Sequence, residues 1–574
     1  MKRKVLTAAS LITVLVAIGV LCIPGLPFGY NDDSMLQSIL RGNFAGVADY
    51  HTVYVAAPLS ILLRGLYALL PDVPWFGLFL LSSYLLCLFL CLRRVGLQAG
   101  QYPWMAILTA VFFFAAFVFP QMLSVHYTLA AGCVMATGIF LLYGKDVKPY
   151  NIALFLFWLG YEIRSQVFFL ALPFVLLMIV AQEGKYRFTR VLNPEQEQDP
   201  DAETAKEKNL REKHERRSKT GRVVFTGLIL GSIFWQTFLY QSDEWREYQR
   251  YNDARTEVYD YTGVWDTDEA LAYYESIGIG DKEYPVYANY DLLLDPMADV
   301  DRLEAMAGYT DPLSKQSLSV TEHAKDVIYT LKWKITEDGD GAKFLFLILC
   351  GVMTFIFLWL ENDRLSAIGV VCALAGWAME YGFLIWRGRF PERVTLPLYL
   401  ITYAYMLGSL FCARSRRKGF ERRDLIFAVL SVTSAVWIYN GFGEALWRKI
   451  SVNDRDDMVY SYIRSHPENV YFLETYTVME RTGDVLSAEG IPENAMPLGG
   501  WMTGSPNVGF FMEKHGYTDA ATAMLTSPEV YYLCREDVGL SIDELETFLD
   551  CKMQQTDVLN SEGVLFGVYQ CIQP

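Results

Sequence analysis

Two adjacent carboxylates, Asp32 and Asp33, stand in Gly29-Tyr30-Asn31-Asp32-Asp33, directly after an apolar run from Val5 to Pro27 that is long enough to cross a bilayer. A charge at a membrane boundary is costly unless it is solvated or used, and a carboxylate there is suited to take a proton from a hydroxyl as a general base. Lys2, Arg3 and Lys4 precede the run and hold its start in the cytoplasm by the positive-inside rule, which places the acid pair on the outer face. The same pair also suits capping of a helix that begins near Ser34-Met35-Leu36. Two acids leave room for both jobs, and which of them would be the base stays open.

A second set of residues departs from the charge bias. Arg164 sits at an outer turn between two apolar stretches, and Arg387-Gly-Arg389-Phe-Pro-Glu-Arg393 at another. A guanidinium fork matches phosphate oxygens in pairs, so these arginines suit a lipid phosphate or pyrophosphate, with snorkelling to headgroups or pairing with Glu162, Glu380 and Glu392 as the structural alternative. Arg255 and Asp260 lie in a Tyr-rich stretch whose rings could stack on a sugar, and His51 and His126-Tyr127 are further candidates for a sugar pocket. The six histidines show no metal-ligand spacing, which argues against zinc; magnesium or manganese at the Asp pair stays open. A carboxylate base beside arginines meets both needs of glycosyl transfer from a polyprenyl-phosphate sugar. The base takes the acceptor's proton, and the cations take up the charge growing on the departing phosphate.

The elements that position these groups follow from composition. Of 574 residues, 52% are hydrophobic and 15% aromatic, in runs too long for one soluble core. The reading is mainly α: a polytopic helical bundle of about 11 spans, N-terminus inside and C-terminus outside, with a small extracytoplasmic α/β domain. The spans run Val5 to Pro27, Trp75 to Leu92, Pro103 to Pro120, Met122 to Tyr143, Tyr150 to Tyr161, Val167 to Ala181, Val223 to Tyr240, Phe344 to Leu360, Ala367 to Trp386, Thr395 to Cys412 and Leu425 to Tyr439. In this register Arg93-Arg94, Lys145 and Lys148, the Lys185 to Arg222 segment and the Arg414 to Arg423 cluster all fall inside, provided that Val53 to Leu70 lies on the outer interface as an amphipathic helix and does not cross.

The expected divisions are a transmembrane module over 1–240, with an outer catalytic loop at 28–74 and a cytoplasmic loop at 182–222; an extracytoplasmic helical cap over 241–342; further spans over 343–440; and the α/β domain over 441–574. Pro194 to Thr220 reads as a flexible charged loop. The net charge of −16 is concentrated in the two outer segments, each acidic by about a dozen charges, which disfavours nucleic acid as a partner. Most of the ten cysteines sit in apolar runs; Cys534, Cys551 and Cys571 lie in a polar region where one pair could close.

With its acidic motif Asn31-Asp32-Asp33 after the first span, an interfacial helix at Val53 to Leu70, many further spans and a soluble C-terminal domain, the chain resembles the GT-C superfamily of integral-membrane glycosyltransferases. Tyr161-Glu-Ile-Arg164-Ser-Gln166, Asn252-Asp-Ala-Arg255-Thr-Glu-Val-Tyr259-Asp260-Tyr261 and the Arg387 to Arg393 stretch look like those of uncharacterised bacterial multispan proteins. The resemblance implies a multi-pass protein of the bacterial cell membrane that takes a sugar from a polyprenyl-phosphate donor to an envelope glycan or lipid. No Trp-Trp-Asp signature of peptide glycosylation is present. A polysaccharide polymerase or ligase, a lipid-linked-sugar transporter and a non-catalytic assembly protein are the competing classes. The absence of an internal repeat and the clustering of charges at the outer boundary, away from the midplane, weigh against the transporter.

Overall fold

The computed structural model describes residues 2–98, 103–143, 147–192, 205–312, 314–412, 425–436, 458–479, 481–561 and 563–572. The membrane part is built from α1 (Lys2–Leu21), α2 (Asn31–Arg41), α3 (Ala57–Leu69), α4 (Trp75–Gln98), α5 (Pro103–Phe117), the short α6 (Phe119–Met122), α7 (Tyr127–Leu142), α8 (Val147–Ile163), α9 (Ser165–Leu192) and α10 (Ala205–Leu239). After a large polar insertion it resumes with α16 (Gly341–Leu360), α17 (Arg364–Trp386) and α18 (Glu392–Cys412), followed by an apolar helix at Leu425–Val436.

Among the described residues five helices are long and apolar enough to cross a membrane: Trp75–Leu97, Lys219–Leu239, Gly341–Leu360, Arg364–Trp386 and Glu392–Phe411. Val223, Phe234, Leu345 and Met379 project from them with more than half of their surface exposed, a face that only lipid suits. The chain is a multi-pass membrane protein.

At the centre stands α7, apolar all round and buried along its whole length, as a helix without a polar face must be. Its small residues admit close neighbours. A Cβ on Gly132 would lie 2.7 Å from Pro397 of α18, so that glycine sets the α7–α18 approach. α3 buries Ala57, Leu59, Ser60, Leu63 and Tyr67 and exposes Leu62 and Leu69. The apolar stretches on either side of Glu162-Ile163-Arg164 are two helices, with Arg164 at the break between α8 and α9.

The insertion over 241–341 is helical. It comprises α11 (Asp243–Thr256), a π-helical turn at Glu257–Thr262, α12 (Asp268–Ser276), α13 (Tyr284–Ala288), α14 (Val300–Ala307) and α15 (Val320–Thr336). Trp245, Tyr248 and Tyr251 share the buried face of α11, as their spacing requires, and Thr267 caps α12 by accepting the Ala270 N–H.

The C-terminal unit is α/β around one mixed sheet of β1 (Val470–Leu473), β2 (Ala495–Pro497), β3 (Val530–Arg535), β4 (Lys552–Ser561) and β5 (Val564–Ile572), in the order β2-β1-β3-β5-β4. The three strands β2, β1 and β3 are parallel, and β5 turns antiparallel to both β3 and β4. Cys534, Cys551 and Cys571 are free thiols.

Several sequence expectations need correction. Residues 205–220, read as flexible loop, form the first half of α10; their Ala, Glu, Lys and Arg content has high helix propensity even without an apolar face. Within 182–222, residues 182–192 likewise continue α9. The helix after Asn31 begins at Asn31 itself with Tyr30 as its N-cap residue, so Asp32 and Asp33 occupy the first turn and neither side chain caps. There they complement the helix dipole. Lys145, the Arg414 to Arg423 cluster, the end of the last expected span at 437–439 and residues 193–204 of the inner loop lie outside the described residues.

Candidate active site

The short segment after α1 is the hinge pin of the site. Phe28 and Gly29 take backbone bonds from both sides. Phe28 N–H donates to Gly483 O at 3.1 Å, Gly29 N–H donates to Val125 O at 2.6 Å, and Val125 N–H donates back to Pro27 O at 3.1 Å. This brings the start of α2, the start of α7 and the C-terminal unit to one place. Farther along α2, Gln37 donates to Ser487 O at 2.9 Å, and Ser38 Oγ accepts from Ile491 N–H at 2.9 Å, which clamps that helix to the C-terminal unit.

The two acids have different surroundings. Asp33 is fully buried; one oxygen meets His126 Nδ1 at 2.5 Å and the other accepts the Tyr127 backbone N–H at 2.9 Å. Burial pushes its carboxyl well above the ordinary range. Asp32 is more open. Its Oδ2 pairs with Arg393 Nη1 at 2.9 Å, and its Oδ1 accepts the Trp501 indole N–H at 3.1 Å. Three of the four carboxyl oxygens of the pair accept from Arg393, the Trp501 indole and the Tyr127 N–H, the fourth meets the His126 ring, and among the described residues no three His, Cys, Asp or Glu side chains are grouped to hold a metal. The residues present do not fit magnesium or manganese at this point.

Aromatic rings wall the space around Asp32. Tyr30 lies under Arg393, 4.8 Å from the guanidinium, and its ring meets that of His126 at 4.7 Å, tilted by 59°. Tyr54 stands edge-on to Trp501 at 5.0 Å and nearly parallel to Tyr127 at 6.4 Å. The guanidinium of Arg164 sits over both, 4.5 Å from the Tyr54 ring and 5.3 Å from the Tyr127 ring. Among the described residues Arg164 has no carboxylate partner, and its buried Nη1 has no hydrogen-bond acceptor. Glu162, two residues away, is occupied with Ser232 and the Leu59 backbone.

Tyr54 is the point of convergence. Burial raises its phenol, and the charges of Arg255, Asp32, Arg164 and Asp260 all act on it. Arg255, almost fully buried in α11, donates to Tyr290 Oη, to Asn252 Oδ1 and to Thr256 Oγ1. Asp260 lies on the π-helical turn and pairs with Arg389, and Tyr261 beside it takes Arg387 and Arg389 at 4.5 Å and 5.8 Å from its ring. The insertion and the turn before α18 are therefore tied together next to Tyr54. Of the residues singled out from sequence, Asp32, Asp33, His126, Tyr127, Arg164, Arg255, Arg389 and Arg393 fall in this one cluster, with Arg387 at its exposed edge. His51 lies in a neighbouring knot: its ring nitrogens meet Asp49 at 2.8 Å and Leu239 O at 3.3 Å, and the ring stacks on Trp245 at 4.2 Å.

Sequence reading passed over Tyr30, Tyr54, Tyr290 and Trp501. Trp501 had a local signal in the preceding glycine pair. A Cβ on Gly499 would come within 1.9 Å of Tyr290 O, and Gly500 holds φ at +100°, so this backbone is shaped to press against the insertion and aim the following indole at Asp32. The π-helical turn at Glu257–Thr262 was not legible, although such turns concentrate at functional sites.

No protein-family model matches the sequence. No curated protein matches it either. Among solved structures the chain is similar to the crystal structure of ArnT from Cupriavidus metallidurans in the apo state, at 12% identity and a TM-score of 0.37 over 98% of both chains. It is similar to the same protein bound to undecaprenyl phosphate at 13% identity and a TM-score of 0.37, over 98% of this chain and 97% of that one.

Proposed function

We propose that this chain is a membrane glycosyltransferase that moves a sugar from a polyprenyl-phosphate donor to a hydroxyl of an envelope glycan or lipid at the outer face. The observation that carries this reading is the pairing of Asp32 with Arg393 beside the uncompensated guanidinium of Arg164, inside one aromatic-walled space at the ends of membrane helices. Arg164 is half-buried with its Nη1 sealed and without an acceptor among the described residues, and a lipid phosphate supplies acceptors in the geometry that guanidinium prefers.

In this reading Asp32 is the base. It has the more accessible carboxylate of the pair, whereas Asp33 is sealed against His126 and Tyr127 and acts as a positioning residue. A donor phosphate bound between Arg164 and Arg393 competes for Arg393 and frees Asp32 to take the acceptor proton. The acceptor oxygen then bonds to the anomeric carbon from the face opposite the phosphate. The carbon–oxygen bond to the phosphate breaks, and the leaving group departs with the electron pair onto the two guanidinium groups. Inversion at the anomeric carbon follows. Tyr54, Tyr127 and Trp501 supply ring faces for the sugar.

The test is transfer from a polyprenyl-phosphate sugar in proteoliposomes. Asp32→Asn should abolish it while the protein remains folded and still binds polyprenyl phosphate, and Arg164→Ala should weaken that binding. Full transfer by the Asp32→Asn, Asp33→Asn double variant would overturn the reading.

A further inference from the structure

The depth of α15 is set by what it packs against. The His323 ring stacks at 4.5 Å on Trp386, the last residue of span α17. Val327 packs on Gly382, four residues and so about 6 Å farther down the same span. Asp340, between α15 and the start of α16, accepts the Tyr381 hydroxyl at 2.6 Å, again on the last turns of α17. At that depth α17 exposes Phe383, one turn from Met379 on its lipid-facing row. Although α15 belongs to the polar insertion, it lies alongside the end of a span and not above it.

The face that α15 turns away from α17 is uncovered. Thr330 is its one buried residue, whereas Ala324, Lys325, Ile328, Tyr329 and Lys332 are all exposed, Ile328 and Tyr329 by 70% and 71%. Their spacing by three and four residues puts them on one broad stripe. An aliphatic and an aromatic side chain flanked by lysines suit the boundary between headgroups and acyl chains, where the rings and methyls sink and the ammonium groups rise on their stems. Lys325 and Lys332 form no ion pair among the described residues. The acids of the helix are taken: Glu322 by its capping box with Ser319, and Asp326 by Lys315. Just beyond it, Asp338 pairs with Lys334, and only the exposed Glu337 opposes the two free lysines. Within an acidic insertion this stripe is basic, and at this depth the anions that it meets are lipid phosphates.

We infer that this face of α15 is a seat for anionic phospholipid. The helix lies in the headgroup layer, Ile328 and Tyr329 reach toward the acyl chains, and Lys325 and Lys332 hold the lipid's charged heads. The seat braces the candidate site from behind. Lys315 and Lys334 stand 5.9 Å and 5.2 Å from the ring of Phe390, in the turn between α17 and α18 that leads to Arg393. The inference concerns a lipid that is not consumed, and it stands apart from the transferase reading.

The test uses the full chain in nanodiscs, with a dansyl-bearing amino acid in place of Ile328. Phosphatidylcholine brominated near the headgroup end of its chains should quench about half of the dansyl emission relative to the unbrominated lipid. In bilayers of ordinary phosphatidylcholine, a minor fraction of brominated phosphatidylglycerol should be enriched about fivefold around the probe over the same fraction of brominated phosphatidylcholine, and added salt should shrink that preference. The Lys325→Gln, Lys332→Gln double variant should lose the preference and keep the quenching by brominated phosphatidylcholine, while Lys325→Arg, Lys332→Arg should keep both. Absence of quenching would show that α15 faces water and would overturn the seat. Equal enrichment of the two lipids, or a preference that survives the loss of both lysines, would overturn its anionic character. No transfer is measured, so a failure here leaves the transferase reading where it was.

Discussion

Asp33 and His126 meet side chain to side chain at 2.5 Å, both fully buried and 93 residues apart in the chain. Because Asp33 also accepts the Tyr127 N–H, it fixes the start of α7 against the start of α2. Tyr127 is one of the two rings beneath Arg164, so the placement of that guanidinium depends on a carboxylate that is not itself exposed to a substrate.

Removing Asp33 should therefore cost stability first and activity second. Asp33→Ala removes the acceptor of the buried Tyr127 N–H and the contact with the buried His126 ring, a loss of about 1–3 kcal/mol for each contact. Asp33→Asn keeps an acceptor for Tyr127 N–H and should lose clearly less. In a cycle with His126→Ala, the double variant should be less destabilised than the sum of the singles, because the contact is then already gone. Thermal unfolding in detergent, followed by tryptophan fluorescence, measures all four proteins; strictly additive losses would show that the pair does not interact.

Arg393 is expected to behave in the opposite way. It pairs with Asp32 at the edge of the space, so its loss leaves no deeply buried orphan, yet removes a cation from the departing phosphate. Arg393→Ala should reduce kcat/KM roughly 100- to 1000-fold with the fold intact, and Arg393→Lys should recover only part, since an ammonium lacks the planar fork. Arg389, paired with Asp260 and farther from Asp32, should give a smaller loss on truncation. Steady-state transfer kinetics of the three variants decide it, and an Arg389 effect equal to that of Arg393 would contradict the assignment.

How much of this was legible in the sequence depends on the range of the interaction. The spans α4, α16, α17 and α18 followed from hydropathy because each is a continuous apolar run, whereas the polar first half of α10 and the polar end of α9 carry no such signal. The buried face of α11 is legible in the i,i+3 spacing of Trp245, Tyr248 and Tyr251, and the start of α12 in Asp266-Thr-Asp268-Glu269. The Asp32–Arg393 pair spans 361 positions, and nothing local announces it. Arginines could be picked out only as misfits to the charge bias, which found Arg164 and Arg393 but gave no grounds to separate them from Arg387 at the exposed edge. The aromatic walls were missed because a tyrosine that lines a site and one that packs a core read alike. In the C-terminal unit β1, β3 and β5 are apolar enough to recognise, whereas β4, Lys-Met-Gln-Gln-Thr-Asp-Val-Leu-Asn-Ser, is polar and mostly exposed and becomes a strand only by pairing with β5. Only three residues long, β2 is too short to carry a pattern.

A pH dependence should arise where the insertion meets the C-terminal unit. Asp291 is fully buried and accepts both the backbone N–H and the hydroxyl of Thr475, while Glu474 lies beside it, also buried. Burial, and then the neighbouring carboxylate, raise Asp291; burial raises Glu474. A carboxyl whose folded pKa exceeds its unfolded one holds its proton more tightly when folded. Its contribution to stability is then complete below the usual carboxylate pKa of about 4 and is lost as the pH rises through the raised value. Asp291→Asn mimics the neutral form and keeps the acceptor for Thr475. Its melting temperature should match that of the unsubstituted protein in acid and exceed it at alkaline pH. A variant that melts lower at every pH would sink the prediction.

The contact between Trp501 and Asp32 lends itself to a narrower substitution. Trp501→Phe preserves a ring against Tyr54 and leaves the Trp501 carbonyl, which accepts from Tyr248, in place; what disappears is the one indole N–H directed at Asp32. A hydrogen bond to a charged group contributes about 1.5–3 kcal/mol, but part of that is common to the resting and reacting states and does not appear in the rate. The expected result is a fall in kcat of about tenfold, with the melting temperature nearly unmoved and polyprenyl-phosphate binding unchanged, because neither Arg164 nor Arg393 touches the indole nitrogen. If Trp501→Phe instead weakened lipid-phosphate binding and left kcat alone, the indole would belong to the donor phosphate's side of the site, and Asp32 would lose its claim to be the group that Trp501 orients.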